Sequence, residues 1–117
     1  MGGVCHEMLG LFPDSTRVDG ADLTIGGVSA DALAAEFGTP LLVYCEATLR
    51  ARARALRAAV SGGHVAFGTK AFSNVAVLKV FREEGVGVDV ASTGELAFAR
   101  AAEIGRASCR ERVLPGV

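Results

Sequence analysis

The sequence has 117 residues, enough for one ordinary domain, and half of them are apolar while 21% are charged. This balance argues against an intrinsically disordered chain, and the net charge of −1 offers no basic surface for nucleic acid. No apolar run approaches the roughly 18 residues that a membrane span requires. We therefore expect a globular protein with neither a nucleic-acid nor a membrane partner.

The first residues lack the basic start and apolar core of a secretory signal, which favours a cytoplasmic location. The three cysteines, Cys5, Cys45 and Cys109, fit neither a disulfide framework nor a zinc pattern, so they are predicted to be free thiols. His6 and His64 are isolated in sequence. No metal site is predicted for them, because ligand spacing is missing.

The first predicted elements are a strand and a short helix. Residues 21–25 alternate polar and apolar side chains, as a half-buried strand does. Ser29 can cap a helix over residues 30–37, and Gly38 followed by Pro40 would end it.

A second strand and a second helix follow. The apolar run 41–44 predicts a strand, and residues 46–60 predict a helix with one apolar face. That face contains Leu49, Ala53, Leu56 and Val60. The arginines lie mostly elsewhere and are expected to be solvated; they are Arg50, Arg52, Arg54 and Arg57.

From residue 64 onward the pattern becomes regular. Residues 64–70 predict a strand, and Ser73 is placed to cap a helix from about residue 74 to residue 84. Residues 86–91 predict the next strand.

The last predicted helix covers residues 96–102. Ser92 and Glu95 precede it at the spacing of a capping box, with Ser92 as the N-cap. Strand, helix, strand, helix at this spacing implies an α/β fold with parallel strands and right-handed crossovers. Two such units can neither close a barrel nor cover both faces of a sheet, so we expect an incomplete domain rather than one completed by a partner.

Lys70 and Asp89 stand at the carboxyl ends of the two regular strands, where a barrel gathers its chemistry. A buried lysine there would lose its charge readily and could attack a carbonyl group. A lysine just past the strand end could equally reach solvent. Asp89 could tune that lysine or help hold a cofactor, but it could also cap a helix or form a plain ion pair.

Three collinear blocks between residues 23 and 103 carry a family resemblance. Residues 67–74, around Lys70, resemble the lysine segment of fold-type III pyridoxal-phosphate decarboxylases, and residues 83–96 resemble the next block of that family. Residues 37–50, with Gly38-Thr39-Pro40, are similar to the lead-in of the diaminopimelate-specific branch. Ornithine and arginine decarboxylases share the lysine block.

The resemblance implies the beginning of an alanine-racemase-like (β/α)8 TIM barrel. Residues 1–38 would be an N-terminal segment belonging to a β-domain, and residues 39–103 would start the cofactor-binding barrel. Lys70 would hold pyridoxal 5'-phosphate covalently, and Asp89 is a further candidate for cofactor binding. The activity implied is decarboxylation of meso-diaminopimelate to L-lysine, by an enzyme that works as a homodimer on a small amino-acid substrate.

Other features depart from the family. The family chain is several times longer, so the present one is expected to be inactive alone. Residues 104–117 lose the apolar periodicity, do not resemble the third strand that the family needs, and match a translated sequencing adapter. They are predicted to be a non-native tail. Four alternatives remain: an ornithine or arginine-type decarboxylase, a racemase-like relative, a non-catalytic homologue that binds pyridoxal phosphate, or a cofactor-free α/β fragment.

Overall fold

The structure, a computed structural model, describes residues 6–105 and 108–111. The chain divides into two compact units, with the boundary between Leu49 and Arg50. The first contains a 3-10 helix, a three-stranded antiparallel sheet in the order β1-β2-β3, and a helix. These elements are the 3-10 helix His6–Leu11, β1 (Arg17–Asp19), β2 (Asp22–Ile25), β3 (Val28–Ser29) and α1 (Ala30–Phe37).

Local signals determine both ends of α1, as predicted. The hydroxyl of Ser29 accepts a hydrogen bond from the Ala32 N–H at 3.4 Å, so Ser29 is the N-cap. At the other end Gly38 adopts a φ of +79°, and its N–H donates to the Ala34 carbonyl at 2.9 Å. Glycine adopts this left-handed conformation without the steric cost of a Cβ.

The strand predicted over residues 41–44 is wrong. Residues 41–45 have no regular structure, and the side chains at 41–44 are exposed by between 38% and 85%. A strand exists only where a neighbour accepts and donates its backbone hydrogen bonds, and an apolar run in the sequence does not specify that neighbour.

Helix α2 covers Glu46–Ala59, one residue short of the prediction. It begins in the first unit and continues into the second. Of its expected apolar face, Ala53 is buried, whereas Leu56 and Val60 are exposed by 58% and 42%. Arg52, Arg54 and Arg57 are exposed, as expected for a solvated face, whereas Arg50 is half-buried. Arg50, Arg54 and Arg57 also donate hydrogen bonds to acceptors near the end of the next helix.

The second unit contains a parallel three-stranded sheet in the order β4-β5-β6, with helices between its strands. The parallel βα organisation predicted from residue 64 onward is therefore confirmed. Its elements after α2 are β4 (Ala66–Gly68), α3 (Val75–Glu83), β5 (Gly87–Val90), α4 (Thr93–Ala101) and β6 (Cys109–Glu111).

The buried core of this unit lies between the sheet and helices α3 and α4. Along β5 the side chains alternate, so that Val88 and Val90 are fully buried while Gly87 and Asp89 are only partly so. Phe67 of β4 packs against the core, and its ring contacts that of Phe81 in a tilted arrangement with ring centroids 4.8 Å apart. The buried cluster comprises Leu78, Val88, Val90, Ala99, Ala102 and Ile104.

The expectation that the tail would supply no strand is also wrong. Residues Cys109–Glu111 form β6, which pairs in parallel with β5 and places Asp89 beside Arg110. Strand pairing uses backbone groups, so a short polar stretch can extend a sheet without apolar periodicity. Residues 106–107 and 112–117 lie outside the described residues, and the non-native origin of 104–117 stays a prediction.

Within the part of the chain that the structure describes, no helix is both long and apolar enough to cross a membrane. The same residues contain no group of three potential metal ligands. Cys45 is a free thiol. Cys5 lies outside the described residues, and only the backbone of His6 and of Cys109 is described.

Candidate functional site

Lys70 lies in a single 3-10 turn, Thr69–Ala71, that directly follows β4. The predicted strand over 64–70 is thus shorter than expected, because the chain turns as soon as it leaves the sheet. The turn is closed by the Phe72 N–H, which donates to the Thr69 carbonyl at 3.1 Å. The side chain of Lys70 is exposed, as in the alternative that placed it just past the strand end.

Thr69, the residue before the lysine, is fixed by hydrogen bonds at its hydroxyl and at its carbonyl. Thr69 is fully buried, and its hydroxyl lies 2.7 Å from Oε2 of Glu95 and 3.0 Å from the Asp89 carbonyl. Its own carbonyl accepts a further hydrogen bond from the Ser73 hydroxyl at 2.9 Å. Ser73 is therefore not the N-cap of α3; Asn74 is, through hydrogen bonds from the N–H groups of residues 76 and 77.

Glu95 connects three parts of this region. Its N–H donates to the Ser92 hydroxyl at 3.2 Å, which confirms Ser92 as the N-cap of α4. Its carboxylate accepts from the Ala91 N–H at 2.9 Å, one residue before that cap. The Thr69 hydroxyl, followed by the Ala91 N–H, lowers the pKa of Glu95 below its usual range, and the charge of Lys70 acts in the same direction.

Asp89 lies beside the start of the lysine turn. The parallel register pairs Asp89 with Gly68, the last residue of β4 and the second residue before Lys70. Asp89 is half-buried on the opposite face of β5 from Val88 and Val90. The sheet register therefore brings the two predicted site residues to the same end of neighbouring strands.

The residues of this end fit an aldehyde cofactor. Lys70 carries a primary amine, the group that condenses with an aldehyde, and its side chain is accessible. A Cβ built on Gly68 would meet no atom within 4 Å, so there is space beside the turn. Lys70 would hold the aldehyde carbon, and Asp89 is a candidate for a polar contact with the same group.

The second unit matches a known protein family. The model of the pyridoxal-binding domain of pyridoxal-dependent decarboxylases matches residues 46–109, more than half of the chain. The chain belongs to this family. Its members are enzymes that use pyridoxal phosphate, so the resemblance seen in the sequence around Lys70 is confirmed at the level of the family.

Two curated relatives of this chain are diaminopimelate decarboxylases. A diaminopimelate decarboxylase of Actinosynnema pretiosum is 48% identical over 91 residues, which is 78% of the chain but 21% of the relative. A diaminopimelate decarboxylase of Bacillus subtilis is 49% identical over 84 residues, or 68% of the chain and 19% of the relative. The chain thus spans about a fifth of the length of the curated relatives it matches.

A solved structure shares the fold of this chain. The crystal structure of AQ1208 from Aquifex aeolicus superimposes with a TM-score of 0.84 and 31% sequence identity. The match covers 94% of the chain and 28% of the Aquifex protein.

Sequence reasoning singled out Lys70 and Asp89 but assigned Glu95 only to the cap of α4. The missed feature is the contact between Glu95 and Thr69, which are 26 positions apart. A threonine immediately before the lysine, in an otherwise apolar segment, was the available signal. It could not reveal the partner, because that depends on the register of β4 and β5.

Proposed function

We propose that this chain supplies the cofactor lysine and the first βα units of a decarboxylase that converts meso-diaminopimelate to L-lysine. The identity of 48% to a curated enzyme of that name carries the proposal. The position of Lys70 in a turn at the end of a parallel strand supports its role, since chemistry in α/β barrels gathers at that end.

The proposal extends to the architecture and the assembly. The parallel units around β4 and β5 would begin a (β/α)8 barrel, and the small antiparallel sheet would belong to a β-domain. The complete enzyme would be a homodimer acting on a small amino acid. The chain alone would be inactive, since it spans about a fifth of its curated relatives.

Pyridoxal phosphate, when bound, supplies an electron sink for the electron pair left when the carboxylate departs as carbon dioxide. The residues of this chain would bind and orient it. Lys70 would hold the cofactor covalently and keep it at the end of β4. The neighbouring strand would place Asp89 on the same side of the sheet.

The role of Lys70 as the cofactor residue is tested on the full chain. The sequence contains only two lysines, Lys70 and Lys79, and the second is exposed on α3. The chain is incubated with limiting pyridoxal phosphate, the C=N bond that forms with release of water is reduced by borohydride, and the labelled peptides are quantified by mass spectrometry. We expect label mainly at Lys70 and its loss from that position in Lys70→Arg. Equal labelling of both lysines would remove the support for Lys70 as the cofactor residue.

The substrate is tested on the protein encoded by the complete gene. Carbon dioxide release is measured with meso-diaminopimelate, ornithine and arginine at equal concentrations. Highest kcat/KM with meso-diaminopimelate is expected. Preference for ornithine or arginine would assign the protein to another branch of the family, and no release from any of them would favour a non-catalytic homologue.

A further inference from the structure

The contact between Glu95 and Thr69 reaches the residue that is peptide-bonded to Lys70. The turn contains three residues, so an atom fixed on Thr69 restricts the backbone from which the lysine side chain starts. Thr69 is fully buried, and its carbonyl is already bound by the Phe72 N–H and the Ser73 hydroxyl. The side-chain hydroxyl is a further point at which the turn is attached.

A threonine hydroxyl has one proton and can donate it to only one acceptor at a time. Two acceptors lie near it, the Glu95 carboxylate at 2.7 Å and the Asp89 carbonyl at 3.0 Å. The carboxylate is both closer and charged, and charge-assisted hydrogen bonds are stronger than neutral ones. The proton therefore goes to Glu95, and the turn is attached to the first turn of α4.

Capping alone does not account for this arrangement. The N-cap of α4 is made by the Ser92 hydroxyl, which accepts from the Glu95 N–H, and a side chain at position 95 is not needed for that bond. The N–H of Ala91, the residue after β5, donates a hydrogen bond to the Glu95 carboxylate. The carboxylate thus joins β5, α4 and the lysine turn at one point.

We propose that Glu95 is a positioning residue for Lys70: by holding the hydroxyl of Thr69, its carboxylate fixes the turn that presents the lysine amine to an aldehyde cofactor. This inference rests on the proposed role of Lys70. It adds a group that does not itself touch the cofactor but acts through Thr69. A turn held in one conformation keeps the amine in a reactive orientation for more of the time, which raises its rate of condensation.

The experiment compares the rates at which Lys70 and Lys79 are labelled by pyridoxal phosphate and borohydride in the full chain. Lys79 serves as an internal standard, so the ratio of the two rates is independent of reagent concentration. Glu95→Ala and Thr69→Val remove the contact from either side. Thr69→Ser restores a hydroxyl at the same place, and Glu103→Gln removes a carboxylate that pairs with Arg82 at 2.7 Å instead.

We expect Glu95→Ala and Thr69→Val to lower the Lys70 to Lys79 ratio about fivefold or more, the scale of a lost charge-assisted hydrogen bond. The ratio in Thr69→Ser should stay within about twofold of that in the unchanged chain, and Glu103→Gln should leave the ratio unaltered. All rates are taken at a temperature at which circular dichroism shows the variant to be folded. If Glu95→Ala does not fold, Glu95→Gln keeps the side-chain length, and a fall of about threefold is expected.

The outcomes separate this inference from the proposed function. Preferential labelling of Lys70 that persists in folded Glu95→Ala or Glu95→Gln and in Thr69→Val overturns the positioning role but leaves Lys70 as the cofactor residue. Equal labelling of the two lysines in the unchanged chain overturns both. A purely structural role for Glu95 would lower the unfolding temperature without changing the ratio.

Discussion

Arg54 and Glu84 form a two-point ion pair, with Nε and Nη2 of the arginine 2.7 and 2.8 Å from the two carboxylate oxygens. Arg50 adds contacts of 3.0 Å to Glu84 and 2.6 Å to Glu83. Arg57 donates to the Glu84 carbonyl at 3.0 Å. Three arginines of α2 thus gather at the carboxyl end of α3, where positive charge also complements the helix dipole.

The first prediction is that acid removes the stabilisation from the ion pair of Arg54 and Glu84. Hydrogen bonds from Arg54 and then Arg50 lower the pKa of Glu84 to about 2. Between the ordinary value of 4.5 and about 2 the unfolded chain binds more protons than the folded one, so this pair stabilises fully above pH 4.5 and loses its contribution as the pH falls towards 2. Urea unfolding from pH 6 to pH 2.5 should show that the free energy of unfolding declines less steeply with falling pH in Glu84→Gln and Arg54→Gln than in the unchanged chain.

The matched control is Arg52→Gln, a change of the neighbouring exposed arginine on the same helix. It should preserve the pH dependence of the unchanged chain. A decline in Arg54→Gln as steep as in Arg52→Gln would show that the ion pair does not form in solution.

The second prediction concerns the end of α3. Gly85 has a φ of +72°, its N–H donates to the Arg82 carbonyl, and the next N–H reaches the Phe81 carbonyl at 2.8 Å. A Cβ here would also lie 2.6 Å from a terminal nitrogen of Arg57. Gly85→Ala should reduce the free energy of unfolding by about 1–2 kcal/mol, as expected for a left-handed non-glycine residue.

Gly94→Ala is the comparison for that glycine. Gly94 lies in α4, has no positive φ, and its Cβ would meet only the Ser92 hydroxyl, at 3.9 Å. The substitution should raise stability by about 0.4–1 kcal/mol, because it reduces the entropy of the unfolded chain. Equal effects of the two substitutions in chemical denaturation would contradict the assigned helix end.

The third prediction tests β6. A Cβ on Gly87 would lie 2.6 Å from the backbone carbonyl of Ser108, just before that strand. Gly87→Ala should therefore cost about 1–3 kcal/mol of unfolding free energy in the full chain. In a chain ending at Gly105 the same substitution should cost less, because the clashing carbonyl is gone. Identical costs in both backgrounds, measured by urea titration, would mean that β6 does not pair as described.

The fourth prediction concerns the core. Leu78 is fully buried on α3 against the face of β5 that carries Val88. Leu78→Ala should lower the free energy of unfolding by about 2–5 kcal/mol through lost burial and the cavity left behind. Lys79→Ala, a change of the exposed residue beside it, should alter stability by less than about 0.5 kcal/mol. Similar losses in both variants would place Leu78 outside a packed core.

Elements defined by local chemistry were predictable from the sequence. Ser29 caps α1 and Ser92 caps α4 because each hydroxyl binds an N–H only three residues away. The cap of α3 was misplaced by one residue, since Ser73 and Asn74 can both cap. The structure uses the Ser73 hydroxyl to bind the Thr69 carbonyl, which leaves the cap to Asn74.

Features that depend on distant partners were not predictable. Arg54 and Arg57 have no acidic neighbour at helical spacing within α2, and the partners of the α2 arginines at 83 and 84 are about 30 residues away. The register that places Asp89 beside Gly68 is likewise set by packing of the whole sheet. Residue spacing indicated the candidate site as two residues at strand ends, and the family resemblance of the segment around Lys70 added the expected cofactor.

The alternation along β5 gives neighbouring residues of the strand different tasks. Val88 and Val90 anchor the strand through one face, so substitutions of Asp89 on the other face leave that anchorage intact. The apolar packing of β5 therefore rests on positions 88 and 90 and not on position 89. One strand thus meets two separate demands on its sequence, apolar packing on one face and a polar residue at the candidate site on the other.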